Sequence, residues 1–176
     1  MDPNREALVE IVSYDFSWPD RFEEERAVLI QALKHWIVGT IEHIGSTAVR
    51  GLPAKPVIDI MAGVENLEAS RPALAILEDL GYCYAPYKAD QMHWFCKPSP
   101  SFRTHHLHLV PFNSQLWTEQ IFFREHLRAH PDVASEYGAL KQRLAQVHRH
   151  DREAYTNAKS SFIGPIIKHA PKYLSH

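Results

Sequence analysis

Cysteine is scarce in this sequence. Two residues, Cys83 and Cys96, are too few for a disulfide framework, and reduced thiols are the expected state. Neither has a second cysteine at metal-ligand spacing, which leaves both to packing. Charge of one sign is scarce too: 19 Lys and Arg stand against 21 Asp and Glu, a formal net charge of -2. That excludes the broad basic surface of an ordinary nucleic-acid binder, but not a local basic pocket. No apolar run reaches the length needed to cross a bilayer. The opening stretch, "MDPNREALVEIV", has neither the basic lead-in nor the apolar core of a secretory signal, so a cytoplasmic protein is expected. Walker-type loops, dinucleotide fingerprints, repeats and low-complexity tracts are all missing. One domain over 1–176 is therefore expected, long enough to bury a core without disulfides or a structural metal.

Histidine, by contrast, is abundant, with 12 in the chain and a cluster in "FRTHHLHLV". That stretch alternates as a strand does: Leu107 and Leu109 on one face, His106 and His108 on the other. The rest of the pattern is helical at both ends. A helix is expected over 17–36, with Ser17 as cap, Pro19 in the first turn and acids at 23–25 favouring the positive end of the dipole. Its apolar stripe is Phe22, Leu29, Ile30, Leu33 and Trp36. Strands follow over 37–44 and 56–64, the second so apolar that it belongs inside a sheet. A helix over 65–82 stops at Gly81. Short strands are expected over 82–86 and 91–97, then the histidine strand over 102–112. Helices fill 114–130, 131–150 and 151–170, the last kinked at Gly164-Pro165. The order implies an α+β fold with a mixed, largely antiparallel sheet flanked by helices and a C-terminal helical segment.

Chemistry concentrates in "IEHIGSTAVRGLPAKPVIDIMAGV". Glycine at Gly45 lets the backbone approach a ligand, and the Ser46 and Thr47 hydroxyls with nearby amides can hold phosphate oxygens. The same pair also reads as a plain tight turn with a capping serine. Asp59 is a carboxylate inside an apolar strand and must meet a cation, a donor or a metal. Val57, Asp59 and Met61 share one face. If His106 and His108 lie beside them, Asp59 and imidazole can hold Zn, Mn or Fe better than Mg alone. An Asp–His or Asp–Arg hydrogen bond that orders the core is the equal alternative. Glu42 is expected to point to the Asp59 side, as metal ligand or general base, with His43 on the opposite face. Lys55 can pair with a phosphate or with Asp59. Arg103, Arg124, Lys141 and Lys159 are further cations near element ends, and a phosphate-rich ligand needs several. Tyr155 and Lys159 share a helical face, as do Tyr137 and Lys141.

The stretches from Ile41 to Val49 and from Gly51 to Ile60 resemble the GrpB family. So do "SYDFSWPDRFEEE", "RTHHLHLVP", "FFREHLRAHPDVASEYGALK" and "YTNAKSSFI", so the resemblance covers nearly the whole chain. Arg50 departs from the pattern, which has proline there, and adds a positive charge at the pocket mouth. The resemblance implies the fold of polymerase-beta-like nucleotidyltransferases. In that superfamily a Gly-Ser pair binds nucleotide phosphates and carboxylates on the next strand hold two divalent ions. Gly45 and Ser46 match the pair, and Asp59 matches the first carboxylate. The second carboxylate position is Met61, and the strand that supplies a third bears His106 and His108. The three-acid site is therefore incomplete.

Three readings follow. One is a nucleotidyl or phosphoryl transferase using a divalent metal (Mg, Mn or Zn) at an atypical site of Asp59, His106, His108 and Glu42. Gly45, Ser46, Thr47 and Lys55 would then bind phosphate, with Lys141, Tyr155 and Lys159 closing the pocket. The second is a non-catalytic nucleotide- or phosphate-binding module. The third is a metal-dependent hydrolase of a small phosphorylated substrate. A small-molecule partner is expected in each, with no membrane and no nucleic acid. The sequence leaves the oligomeric state open.

Overall fold

The computed structural model describes residues 8–172. Helix α1 (Trp18–Leu33) leads into β1 (Ile37–Ile44), a single 3₁₀ turn (Ser46–Ala48) and β2 (Ile58–Val64). Helix α2 (Ala73–Asp79) precedes β3 (Cys83–Ala85), β4 (His93–Ser99) and β5 (Phe102–Pro111). Four helices follow: α3 (Gln115–Ala129), α4 (Pro131–Val147), α5 (Arg152–Ala158) and α6 (Ser160–Ile167). The five strands run in the order β1-β2-β5-β4-β3. Strands β2 and β5 are parallel, and the other neighbours are antiparallel. This is the α+β architecture with a mixed, largely antiparallel sheet. Strand β2 is interior, as its continuous apolar character demands. No helix among the described residues is long and apolar enough to cross a membrane.

Register decides which side of the sheet each side chain serves. Across β2 and β5, Asp59 pairs with His106, Ile60 with Leu107 and Met61 with His108. Across β1 and β2, Ile44 pairs with Asp59, His43 with Ile60 and Glu42 with Met61. Alternation then sorts two faces. Ile58, Ile60, Ala62, Leu107 and Leu109 pack with Phe22, Leu29 and Leu33 of α1 and with Leu77 of α2, forming the main core. The other face carries Asp59, Met61, His106 and His108. There Met61 is wholly buried with Ile44, Val110 and Trp117.

Several local expectations are corrected. Ser17 occupies the α1 cap position, but its side chain makes no capping bond. Instead Asp15 Oδ1 accepts the Ser17 amide at 2.8 Å. Ile30 is exposed rather than part of the stripe, and Glu25 is buried rather than left to the helix dipole. The helix expected over 65–82 shrinks to α2. Asn66 Oδ1 accepts the Ala69 amide and the Ser70 hydroxyl donates to the Leu67 carbonyl, so side chains compete with helical bonding. Pro72 then disfavours helix in the residue before it. The last helix divides at Lys159, not at Gly164-Pro165. The Lys159 carbonyl accepts both the Phe162 and Ile163 amides, a local tightening, and Pro165 is accommodated inside α6.

Candidate functional site

Strand β1 ends at a corner pressed against Asp59. Gly45 has φ +69, where a side chain is strained. A Cβ there would also stand 2.6 Å from Asp59 Oδ2. Glycine is thus required by both backbone shape and close approach. Thr47 is turned inward: its hydroxyl lies 2.9 Å from His43 Nε2 and donates to the Val57 carbonyl at 3.5 Å. His43 stacks on Phe22, and burial pushes its pKa down to about 4, so it is neutral at physiological pH. Thr47 and His43 therefore brace the corner from within, whereas Ser46 stays half-buried at its outer side.

Helix α3 clamps the same corner from residues that sequence reasoning left without partners. Arg128 donates from Nε and Nη2 to the Ala48 carbonyl at 3.0 and 2.7 Å. Arg124 Nη1 donates to Glu42 Oε2 at 2.7 Å and to the His43 carbonyl at 2.9 Å. Glu42 does lie on the Asp59 face, but Arg124 and the Thr40 hydroxyl (2.7 Å) take its carboxylate. Burial favours its neutral form, yet these donors outweigh it and hold the pKa below the usual value. Glu42 is an ionised structural partner of Arg124 in this arrangement. The bond spans 82 positions, too far for local pattern to reveal.

Asp59, His106 and His108 are brought together. His106 Nδ1 lies 2.8 Å from Asp59 Oδ1, and His108 Nε2 lies 3.8 Å from the same oxygen, beyond hydrogen-bond reach. Burial favours the neutral acid, but the His106 bond together with His108 holds Asp59 well below its usual pKa. Burial also lowers His106, so the ring is neutral. A carboxylate accepts, so Nδ1 carries the ring's proton and Nε2 keeps a lone pair. That Nε2 is buried without a hydrogen-bond partner, as is Nε2 of His108.

Three lysines from three segments meet beside this pair. Lys55 Nζ lies 5.2 Å from the Tyr155 ring centroid and Lys159 Nζ 4.6 Å from the same centroid. Lys141 Nζ lies 4.8 Å from the centroid of Tyr137 and donates to the Pro53 carbonyl. Gly138 lets α4 come this close, because a Cβ there would stand 3.2 Å from Pro53 Cδ. Burial, reinforced by Lys159 and Arg152 for Lys55 and by Lys159 and Lys55 for Lys141, brings both pKa values down to about 7. Lys159 is lowered by burial as well. Asp59 is the carboxylate whose charge opposes all three shifts. Burial raises the Tyr155 and Tyr137 hydroxyls, so both stay neutral. The expected Lys55–Lys141–Tyr155–Lys159 grouping thus exists as a cluster, and Ser46 reaches it through Tyr137.

A two-ion carboxylate centre does not fit these residues. Met61 is core, Glu42 is bound to Arg124, and among the described residues no three His, Cys, Asp or Glu are arranged to hold a metal. The donors that do meet are one carboxylate and two imidazoles.

Comparison with known proteins agrees with this architecture. Cid1 in complex with the UTP analogue UMPNPP shares the fold at a TM-score of 0.52 and 11% identity, over 84% of this chain and 48% of that one. The fold is that of nucleotidyltransferases. The crystal structure of conserved protein GrpB from Enterococcus faecalis matches at a TM-score of 0.82 and 37% identity, covering 90% of this chain and 95% of that one. Glutamate-rich protein GrpB of Alkalihalophilus pseudofirmus is 34% identical over 162 residues, 89% of this chain and 92% of its own. The model of the GrpB protein family matches residues 8–169, and the chain belongs to that family.

Proposed function

We propose that the protein binds the phosphates of a nucleotide or a related phosphorylated small molecule at the Gly45–Ser46 corner. The carrying observation is the grouping of Lys55 and Lys159 over Tyr155 with Lys141 over Tyr137, and Asp59 as the opposing charge. Gathering ammonium groups out of water is unfavourable until an anion joins them. An oligophosphate supplies that anion and makes charge-assisted hydrogen bonds to each lysine. The Ser46 hydroxyl and the corner amides would take phosphate oxygens, and Tyr155 would hold two ammonium groups by cation–π attraction. Thr47 would support the corner rather than touch the ligand. A cytoplasmic setting, where nucleotides are plentiful, suits this activity.

Titration calorimetry with UTP, ATP and tripolyphosphate tests the reading. Lys159→Met and Lys55→Met should each weaken binding by about tenfold or more, the scale of one charge-assisted contact. Absence of binding by all three ligands, or variants that bind as tightly as the parent, would contradict it.

A second reading adds turnover: nucleotidyl or phosphoryl transfer, or hydrolysis, with a divalent ion on the free ring nitrogens of His106 and His108 and with Asp59 orienting His106 from behind. The unpartnered His106 Nε2 lone pair favours it, because a histidine whose other nitrogen donates to a carboxylate is posed as a ligand. Borderline-soft ions such as Zn or Mn suit that donor set. Stabilisation by Zn or Mn that disappears in both Asp59→Asn and His106→Ala supports this reading. Equal stabilisation of parent and variants removes it.

A further inference from the structure

The turn at Ser46–Ala48 has a cavity against it, of about 410 Å³, lined by none of the lysines above. We propose that this cavity is a separate binding site for a small molecule with a flat ring and an anionic group. Its volume falls within the range of small-ligand pockets, roughly 300–1,000 Å³.

One wall is aromatic and already ordered. Tyr14 meets Phe16 edge-on at 5.3 Å and Trp18 at 5.1 Å. Phe16 is 70% exposed, yet its backbone is tied down on both sides. Val12 and Ala54 exchange two backbone hydrogen bonds before it, and Asp15 caps the Ser17 amide after it. A large ring fixed at the surface is a stacking platform for another ring.

Two arginines complete the lining. Arg128 spends its donors on the Ala48 carbonyl and on Glu125, which fixes its charge in place. Arg50 lies over Phe16 at 5.4 Å. A guanidinium that lies over a ring can still offer its N–H donors to a carboxylate or phosphate. The acids nearby are already engaged: Asp15 by Ser17, Glu125 by Arg124 and Arg128. Neutral His43 and Thr47 form the floor, so the lining carries net positive charge. A ring against Phe16 would place its anion on Arg50.

This site stands or falls apart from the lysine cluster. In a Lys55→Met, Lys159→Met background, AMP and UMP combine ring and anion, adenosine offers a ring alone and inorganic phosphate an anion alone. AMP or UMP should bind this background, with adenosine and phosphate each weaker. Arg50→Ala and Phe16→Ala, both at exposed positions, should each weaken nucleotide binding about tenfold or more. No AMP or UMP binding in that background overturns the proposal. So does binding that both substitutions leave unchanged, or phosphate that binds as tightly as AMP.

Discussion

The two faces of the sheet each bury charge, and they do so in opposite ways. Beneath α1, Glu25 accepts hydrogen bonds from the Tyr82 hydroxyl at 2.8 Å and from Lys97 Nζ at 2.9 Å. Lys97 also lies 5.0 Å from the Tyr82 ring centroid. Burial favours the neutral acid, but Lys97 and Tyr82 outweigh it and keep Glu25 ionised below its usual range. One charge meets one charge, and the network is closed. On the other face Lys55, Lys141 and Lys159 gather around Asp59, whose carboxylate is already bonded to His106. That cluster is open. The closed network explains itself as structure, whereas three cations against one carboxylate are the ground for proposing a ligand of negative charge.

The largest effect should come from opening the closed network. Glu25→Ala leaves Lys97 and the Tyr82 hydroxyl without their acceptor and should cost about 2 kcal/mol in urea unfolding. Converting both Glu25 and Lys97 to Met should recover much of that loss. Phosphate affinity should not change in either variant. Glu25 has a depressed pKa, so its contribution is present above the ordinary value of 4.5 and is lost as pH falls through the folded value. Acid sensitivity in that window should vanish with Glu25→Ala.

A smaller effect of opposite sign is expected from the open cluster. Lys55 and Lys141 titrate near 7 in the fold and near 10.5 when unfolded. Between these values the unfolded chain binds more protons, so ligand-free stability should rise with pH across that window. Lys55→Met should flatten the rise and raise ligand-free stability near pH 6. A variant that destabilises at pH 6 and leaves the slope intact would assign Lys55 to structure, like Glu25.

The same contrast explains what the sequence reveals. Alternation in "FRTHHLHLV" and "PVIDIMAGV" is enough to sort Leu107 from His106 and Ile60 from Asp59, because a strand has a period of two. It also places Glu42 and His43 on opposite faces. Residue chemistry singles out the corner and the lysines, and the family resemblance matches Gly45, Ser46 and Asp59 to a phosphate-binding pair and a first carboxylate. What alternation cannot supply is a partner on a distant element. Arg124 reaches Glu42, Arg128 reaches Ala48 and Lys141 reaches Pro53 only because α3 and α4 fold back over the corner. Those contacts decide that Glu42 is paired rather than free. Local chemistry also misleads where two signals compete. Ser17 reads as a cap, yet its side chain makes no capping bond and Asp15 instead accepts the Ser17 amide. Pro165 reads as a break, and the chain tightens at Lys159 instead.

The central claim is that the lysine cluster awaits an anion. Calorimetric titration of tripolyphosphate at pH 8, repeated in buffers of different ionisation enthalpy, reads the protons exchanged on binding. The same titration with ATP, which has a single terminal phosphate with its last titration at about 6 and so essentially ionised at pH 8, separates protons taken up by the protein from any the ligand releases. An anion beside Lys55 and Lys141 must raise their pKa values from about 7, so net proton uptake is predicted. Uptake should fall in Lys55→Met. Binding with no proton exchange, or with net release, would contradict the account.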